Sequence, residues 1–160
     1  MKRFKKKIVM LICCAVLIVA DQLTKLWATS SLQDVTSKDF IPGLIDFRYV
    51  ENRGAAFGML QNHRWVFIIP TVIIVLVCLY ILLFKNIKNF LFNTAIVLII
   101  AGGIGNLIDR IYFGYVIDFI NFTFVDFYVF NIADCCVVVS VCLLVLYSLL
   151  DTLKGKRKHG

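Results

Sequence analysis

Two aspartates stand in otherwise apolar and aromatic sequence, Asp118 in the segment VIDFI and Asp134 in the segment FNIAD. A carboxylate at membrane depth costs roughly 3 kcal/mol or more, so a chain this apolar is not expected to carry one without a use. Neither acid has a basic residue within one helical turn along the sequence, so a local ion pair does not account for them. Two carboxylates that share one proton can activate water and protonate a leaving group. We therefore predict that Asp118 and Asp134 form a catalytic pair acting through water.

The elements that must position these acids are membrane-spanning helices. Hydrophobic residues make up 61% of the 160 positions and charged residues 17%, and the mean hydropathy is +0.88. Four long apolar runs cover about 8–28, 65–84, 90–108 and 129–150, each close to the ~20 residues that a spanning helix needs. The sequence thus predicts an integral membrane protein in which residues 1–160 form a single bundle.

The net charge of +7 is concentrated at the ends of these runs. Eleven basic residues would lie on one side of a four-span bundle: Lys2, Arg3, Lys5, Lys6, Lys7, Lys85, Lys88, Lys154, Lys156, Arg157 and Lys158. Five would lie on the other side: Lys38, Arg48, Arg53, Arg64 and Arg110. This asymmetry predicts that both termini are cytoplasmic. Because topology and anionic lipid headgroups explain the clusters, nucleic-acid binding is not expected.

The amino terminus has the pattern of a secretory signal, with a basic segment followed by an apolar one that reaches Cys13. Ile12 is not the small residue that a cleavage site before Cys13 would use, and the apolar run continues to Ala20, so we predict an uncleaved first span. The six cysteines all fall inside predicted spans with no CxxC spacing. They are expected to act as small apolar residues, without metal.

Polar residues from distant parts of the sequence reach the same outer boundary of the predicted bundle. Asp21 and Lys25 are four positions apart and predict an ion pair that holds the first span in place. Gly102, Asn106, Asp109 and Arg110 share one face of the third span, and Asn131 and Asp134 share a face of the fourth. This common depth predicts a polar site, although close helix packing is an alternative role for Gly102, Gly103 and Gly105.

The connections between spans complete the predicted fold. The segment FIPGLIDFRYVEN predicts a strand, and the glycine-rich NRGAAFG that overlaps its end suits either main-chain binding of an extended peptide or a tight turn. Residues 111–129 are also apolar, but their aromatic and acidic content favours an interfacial loop over a fifth span. The expected fold is therefore an all-α membrane protein: a four-transmembrane-helix bundle with a small extracytoplasmic β-sheet cradle between helices 1 and 2 and an interfacial loop between helices 3 and 4.

Five segments in order resemble the motifs of bacterial lipoprotein signal peptidase, also called signal peptidase II. They are DQLTK at 21–25, ENRGAAFG at 51–58, GGIGNLIDR at 102–110, VIDFI at 116–120 and FNIAD at 130–134. The resemblance implies an aspartic endopeptidase of the bacterial cytoplasmic membrane, monomeric, without cofactor or metal, and with its site on the extracytoplasmic side. It also implies substrates: diacylglyceryl-modified prolipoproteins, cleaved just before the lipid-bearing cysteine.

The resemblance also assigns roles to positions of this chain. Asp118 and Asp134 match the catalytic pair, and Asp21 and Lys25 match a structural and functional pair in the first span. Positions that hold substrate or shape the site are matched by Asn52, Gly54, Asn106, Arg110 and Asn131. Asp134, as the acid expected deeper along its helix, is the one predicted to carry the shared proton.

Three other functions fit parts of this pattern. An ion or proton transporter also places acids in spans, but it would have them near the midplane, often in a repeat. A metal-dependent membrane transferase would gather acids around Mg²⁺, with Asp109, Asp118, Asp126 and Asp134 as candidates. A non-catalytic assembly factor leaves the two unpaired acids unexplained.

Overall fold

Four helices carry the apolar runs in the computed structural model of the chain, which describes residues 2–54, 63–125 and 127–159. They are α1 (Lys2–Leu32), α2 (Arg64–Phe84), α3 (Phe90–Tyr112) and α4 (Ile132–His159). Each is long and apolar enough to cross a membrane, which confirms the four predicted spans. Part of the predicted peptide-binding or turn motif, Ala55 to Gly58, lies outside the described residues, as does Asp126.

A three-stranded antiparallel sheet lies beside the bundle, with strands β1 (Lys38–Ile41), β2 (Ile45–Asn52) and β3 (Val116–Phe122) in the order β1-β2-β3. The turn between β1 and β2 uses Gly43, whose φ of 73° favours glycine. The strand predicted before Asn52 is thus confirmed as β2.

β3 was not predicted, because the connection between the third and fourth spans was expected to be an interfacial loop. Its residues pair with β2, with Asp118 opposite Val50 and Val116 opposite Asn52. Ile117 and Phe119 are buried in an apolar cluster with Ala28 and Leu32 of α1. Pairing satisfies the backbone groups of this buried segment, which an irregular loop would leave without partners.

The pairing of β2 with β3 fixes which connections meet. β2 belongs to the α1–α2 connection and β3 to the α3–α4 connection, so both connections lie at one end of the bundle, called the sheet end below. The first residues of α1, the α2–α3 connection and the last turns of α4 lie at the other end, called the basic end. Asp118 and the start of α4 are thereby brought to the same end of the molecule.

Glycines allow the helices to approach closely near the sheet end. A Cβ atom on Gly102 would clash with the backbone oxygen of Ala133 in α4, and a Cβ atom on Gly105 would lie 2.6 Å from Oδ2 of Asp21 in α1. Because lipid is as apolar as the helix surfaces, such close contact is a main source of attraction between spanning helices. The packing role suggested for these glycines is therefore present, and Gly105 also leaves room for a carboxylate.

Candidate active site

Asp118 is held in β3 between two asparagine amides. Asn52 of β2 donates from Nδ2 to Oδ2 of Asp118 at 2.9 Å, and Asn131 donates from Nδ2 to Oδ1 at 2.6 Å. Only 1% of Asp118 is exposed. Gly54 is also buried, and its N–H donates to Oδ1 of Asn52 at 3.2 Å, which directs the other end of that amide toward the carboxylate.

Asp134 lies in the first turn of α4, where it forms a capping box with Asn131. The N–H of Asp134 donates to Oδ1 of Asn131 at 2.8 Å, and the N–H of Asn131 donates to Oδ2 of Asp134 at 3.3 Å. Such a reciprocal pair satisfies N–H groups that have no partner within the helix. The sequence pattern Asn-x-x-Asp could have revealed this box, although the three-residue spacing was interpreted only as a shared face.

One asparagine therefore contacts both acids. Asn131 donates its side-chain N–H to Asp118 while its backbone N–H and side-chain oxygen bind Asp134. Asn131 is fully buried, at 0% exposed, so its position is fixed by packing as well as by hydrogen bonds. The predicted proximity of Asp118 and Asp134, sixteen positions apart in the sequence, is thus produced by a shared hydrogen-bonding partner.

Asn106 of α3 connects this pair to a buried lysine. Its Nδ2 donates to Oδ1 of Asp134 at 2.7 Å, while its Oδ1 accepts from Nζ of Lys25 at 2.9 Å. An ammonium group can only donate, so Lys25 dictates which end of the Asn106 amide is oxygen and leaves its NH₂ group facing Asp134.

Lys25 is buried among three acceptors near the sheet end of the bundle. Its Nζ lies 2.9 Å from Oδ2 of Asp21, 2.9 Å from Oδ2 of Asp109 and 2.9 Å from Oδ1 of Asn106. The three charged residues are each no more than 2% exposed. The ion pair predicted from the spacing of Asp21 and Lys25 is present, and each donor of the ammonium group has its own acceptor.

Asp109 is a component of the site that the sequence prediction missed. The sequence places it on the polar face of the third span and offers it only as a candidate magnesium ligand, because nothing in a single sequence pairs it with Lys25. Its Oδ2 also accepts from the backbone N–H of Ile117 in β3 at 3.1 Å, next to Asp118. Gln22 was missed as well, and its Nε2 lies 3.1 Å from Oδ1 of Asp109 and 3.2 Å from Oδ2 of Asp21.

The buried ion pairs thus join the elements that carry the site. Oδ1 of Asp21 accepts from the backbone N–H of Ala133 at the start of α4, at 2.8 Å. Asp21 therefore fixes α4 relative to α1, and Asp109 fixes β3 relative to α3. Asp118 and Asp134 each lie one residue from these anchored N–H groups. The distance between the two acids therefore depends on the ion pairs that Lys25 forms with Asp21 and Asp109.

A cavity of about 390 Å³ opens beside the pair. Its polar lining includes Asp134, Asn106, Asn52 and Arg110. The rest of the lining includes Thr71 of α2 together with small and apolar residues of α3 and α4. Arg110 is half-buried, with its guanidinium 5.1 Å from the ring centroid of Phe67 in α2. The cavity is therefore lined by a positive charge that is held on an aromatic face.

The two acids differ in burial. Asp134 is half-buried and lines the cavity, whereas Asp118 lies behind the asparagines. Burial raises the pKa of Asp118 to about 7, and the nearby charge of Asp134 adds to this shift, while hydrogen bonds from Asn52 and Asn131 oppose it. Asp118 is thus the more desolvated acid, so the expectation that Asp134 is the deeper one was wrong.

The magnesium alternative loses one of its candidate ligands. Asp109 has both carboxylate oxygens occupied, by Lys25 and Ile117 on one oxygen and by Gln22 on the other. Among the described residues, no group of three or more His, Cys, Asp or Glu side chains could hold a metal ion. These acids are instead distributed between the ion pairs around Lys25 and a hydrogen-bonded carboxylate pair.

Known proteins share both the sequence and the fold of this chain. A family model described as signal peptidase (SPase) II matches residues 13–150. The lipoprotein signal peptidases of Streptococcus pyogenes serotype M5 (strain Manfredo) and serotype M18 (strain MGAS8232) are each 42% identical over 141 residues, covering 88% of this chain and 93% of theirs. A solved structure described as a bacterial membrane enzyme at 2.3 Å resolution superposes with a TM-score of 0.83 and 32% identity, covering 90% of this chain and 89% of that one.

The family match covers α2 and α3 completely and most of α1 and α4, and it includes both acids of the pair. The fold agrees independently, since the solved bacterial membrane enzyme matches over nearly the whole chain. The chain therefore belongs to the signal peptidase II family of bacterial membrane proteases, which cleave signal peptides from prolipoproteins.

Proposed function

We propose that this chain is an aspartic endopeptidase that removes the signal peptide from diacylglyceryl-modified prolipoproteins and cleaves just before the lipid-bearing cysteine. Asp118 and Asp134 are its catalytic residues. The single observation that carries this proposal is the binding of both carboxylates by Asn131, next to a cavity at the sheet end of a membrane bundle. The proposal also rests on the resemblance of the two acidic motifs to the family's catalytic pair.

The mechanism assigns one proton to the pair. Two nearby carboxylates do not both ionise cheaply, so the buried Asp118 keeps the proton and Asp134 is ionised. Asp134 lines the cavity and takes a proton from a water molecule as that water attacks the scissile carbonyl. Asp118 donates its proton to the carbonyl oxygen, which gives a tetrahedral diol. The proton gained by Asp134 then passes to the leaving amine, while one hydroxyl of the diol returns a proton to Asp118. The peptide C–N bond breaks, and the products are a carboxylic acid and an amine.

The asparagines and Arg110 position the reacting groups and the peptide. Asn106 and Asn131 orient the two carboxylates, and Asn52 holds the second oxygen of Asp118. Arg110 on the cavity wall contacts peptide carbonyls, and Gly54 allows close approach of the substrate backbone. Because these groups are held by buried partners, little reorganisation is needed when substrate binds.

The membrane supplies part of the specificity. With both termini in the cytoplasm, the sheet end faces the extracytoplasmic side, where translocated prolipoproteins carry their lipid. A signal helix enters the cavity from the bilayer while the diacylglyceryl chains remain in lipid. Val137 and Val138 of α4, together with Gly102 and Gly103, narrow the cavity and favour small side chains near the cleaved bond.

Cleavage by the purified full-length chain in detergent tests this function. A diacylglyceryl-modified prolipoprotein should be cut once, and mass spectrometry should place the new amino terminus at the lipid-bearing cysteine. The same polypeptide without its lipid is the matched control and should be cut at least about 100-fold more slowly, because the anchor's binding energy contributes to kcat/KM. Equal cleavage of both polypeptides would contradict the proposed substrate class.

The pH dependence of cleavage reports the proton on Asp118. In the active form Asp118 is protonated, so kcat/KM should fall as the pH rises above about 7, by about tenfold per pH unit. Asn52 donates a hydrogen bond that stabilises the charged carboxylate, so Asn52→Ala should raise the pKa of Asp118 and move this fall to higher pH.

The matched control for this profile is Asn121→Ala, which changes an asparagine three positions further along β3. It should leave the midpoint of the alkaline fall in kcat/KM unchanged. If the Asn52→Ala variant shows the same midpoint as the wild type, the titrating proton is not the one on Asp118.

A further inference from the structure

The basic end of the bundle, opposite the proposed active site, contains a pocket lined by four lysines. This pocket has a volume of about 330 Å³, and its charged lining consists of Lys6 and Lys7 of α1 with Lys85 and Lys88 of the α2–α3 connection. None of these lysines forms an ion pair with a carboxylate in the described ranges 2–54, 63–125 and 127–159. The sequence has no acidic residue before Asp21 and none between Glu51 and Asp109. Asp151 in the last turns of α4 also lies at the basic end, but no ion pair joins it to these lysines within the described ranges. The lysine pocket therefore keeps a net positive charge.

The lysine pocket is built by specific contacts. Nζ of Lys7 donates to the backbone oxygen of Leu83 in the last turn of α2. Nδ2 of Asn93 donates to the backbone oxygens of Ile87 and Asn89, at 2.8 and 2.6 Å, and so holds the connection that carries Lys85 and Lys88. The ammonium group of Lys85 lies 5.7 Å from the ring centroid of Tyr80. The lysines are thus presented by an ordered wall formed by three helices.

An apolar groove of about 490 Å³ continues from the lysine pocket along the surface between α1 and α3. Lys6, Met10 and Asn93 line both cavities, so the two spaces meet. Beyond these residues the groove wall is almost entirely apolar and includes Cys13, Leu17, Thr94, Val97 and Leu98. A cationic pocket at the bilayer surface that leads into an apolar groove matches a molecule with an anionic head and a hydrocarbon chain.

From this arrangement we propose that the basic end is a binding site for one anionic glycerophospholipid. Its phosphate contacts Lys85, Lys88 and Lys6, and one acyl chain lies in the groove between α1 and α3. Charge complementarity favours this lipid over a zwitterionic one, and the groove favours a lipid over a free phosphate ester. A lipid bound there would hold α1 against α3 at the end of the bundle that has no sheet. The proposal is independent of the peptidase assignment, because it concerns the opposite end of the molecule and binding rather than cleavage.

Native mass spectrometry of the purified full-length protein in a neutral detergent tests this site. The probes are phosphatidylglycerol, phosphatidylcholine with the same acyl chains, and soluble glycerol 3-phosphate. The first molecule of phosphatidylglycerol to bind should do so at least about tenfold more tightly than the first molecule of phosphatidylcholine. Glycerol 3-phosphate should bind weakly. The double variant Lys85→Gln, Lys88→Gln should weaken phosphatidylglycerol binding roughly 30-fold, as expected for two lysines near a membrane surface.

Two matched controls separate a built site from general attraction. Lys5→Gln with Lys154→Gln removes the same charge from the same end outside the pocket, and it should change the affinity less than threefold. Cys13→Phe fills the groove without changing charge and should weaken phosphatidylglycerol binding, whereas Cys142→Phe, at an exposed cysteine of α4, should not.

Three results would overturn the proposal. Equal loss of affinity in both lysine pairs would mean diffuse attraction without a site. Equal binding of the two phospholipids, or of glycerol 3-phosphate and phosphatidylglycerol, would exclude an anionic lipid site. Phosphatidylglycerol affinity unchanged by Cys13→Phe, with loss of a dimer in that variant, would assign the groove to a second copy of the chain.

Discussion

Replacing either Asp118 or Asp134 by asparagine should lower the cleavage rate by about 10²–10⁴-fold, the range that positioned acid–base groups contribute. Asparagine has nearly the shape of aspartate but neither accepts the proton of the attacking water nor donates one to the substrate. Asp118→Asn removes the proton donor, and Asp134→Asn removes the base that lines the cavity. The measurement is single-turnover cleavage of the lipidated prolipoprotein, normalised to folded protein in detergent.

Asp39→Asn is the matched control for these variants, since Asp39 is an exposed acid on β1 of the same sheet. It should cleave within about twofold of the wild-type rate, because isolated surface substitutions rarely disturb a distant site. Addition of a chelator should leave the wild-type rate unchanged. A folded Asp118→Asn or Asp134→Asn protein that cleaves normally would refute the catalytic pair, and loss of activity with the chelator would favour the metal-dependent alternative.

Lys25→Met should destabilise the protein by about 3–5 kcal/mol, the usual cost of leaving a buried charge without its partner. Asp21 and Asp109 would then be left without a cation between them, and water could not replace it because each is only 1% exposed. Asn106 would also lose the donor that fixes its amide toward Asp134. The measurement is the midpoint of heat denaturation in a fixed detergent, together with cleavage by the fraction that remains folded.

The matched control is Arg53→Met, which breaks the surface ion pair between Arg53 and Glu51, whose side chains are 52% and 31% exposed. It should cost no more than about 1 kcal/mol, because solvent screens exposed charges. Combining Lys25→Met with Asp21→Asn and Asp109→Asn should recover part of the lost stability, since no uncompensated buried charge remains. If Lys25→Met costs no more than Arg53→Met, the buried charge centre is not what holds these helices together.

Prediction from sequence worked best where the physical signal is local. The four spans follow from the transfer free energy of about twenty consecutive side chains, which each apolar run supplies by itself. β2 was also predicted, because β-branched and aromatic residues alternate with polar ones within the strand. The ion pair of Asp21 and Lys25 follows from helix geometry, which brings residues four positions apart together.

The same reasoning failed where the outcome depends on distant partners. β3 became a strand because β2 offered an edge to pair with and α1 offered an apolar surface to cover. Asp109 joined the site because its helix packs against the one that carries Lys25. The order of polar and apolar residues within one segment does not reveal either contact, since each partner lies in another element of the fold.

The sequence by itself determined that this protein spans a membrane four times and carries two acids that no local partner neutralises. Only the tertiary structure decided which acid is more buried. Asp118 is enclosed by Asn52 and Asn131, which lie 66 and 13 positions away along the chain. Asp134 stays beside the cavity at the start of its helix. Hydropathy is a property of a segment, whereas desolvation of one carboxylate is set by whatever the folded chain places around it.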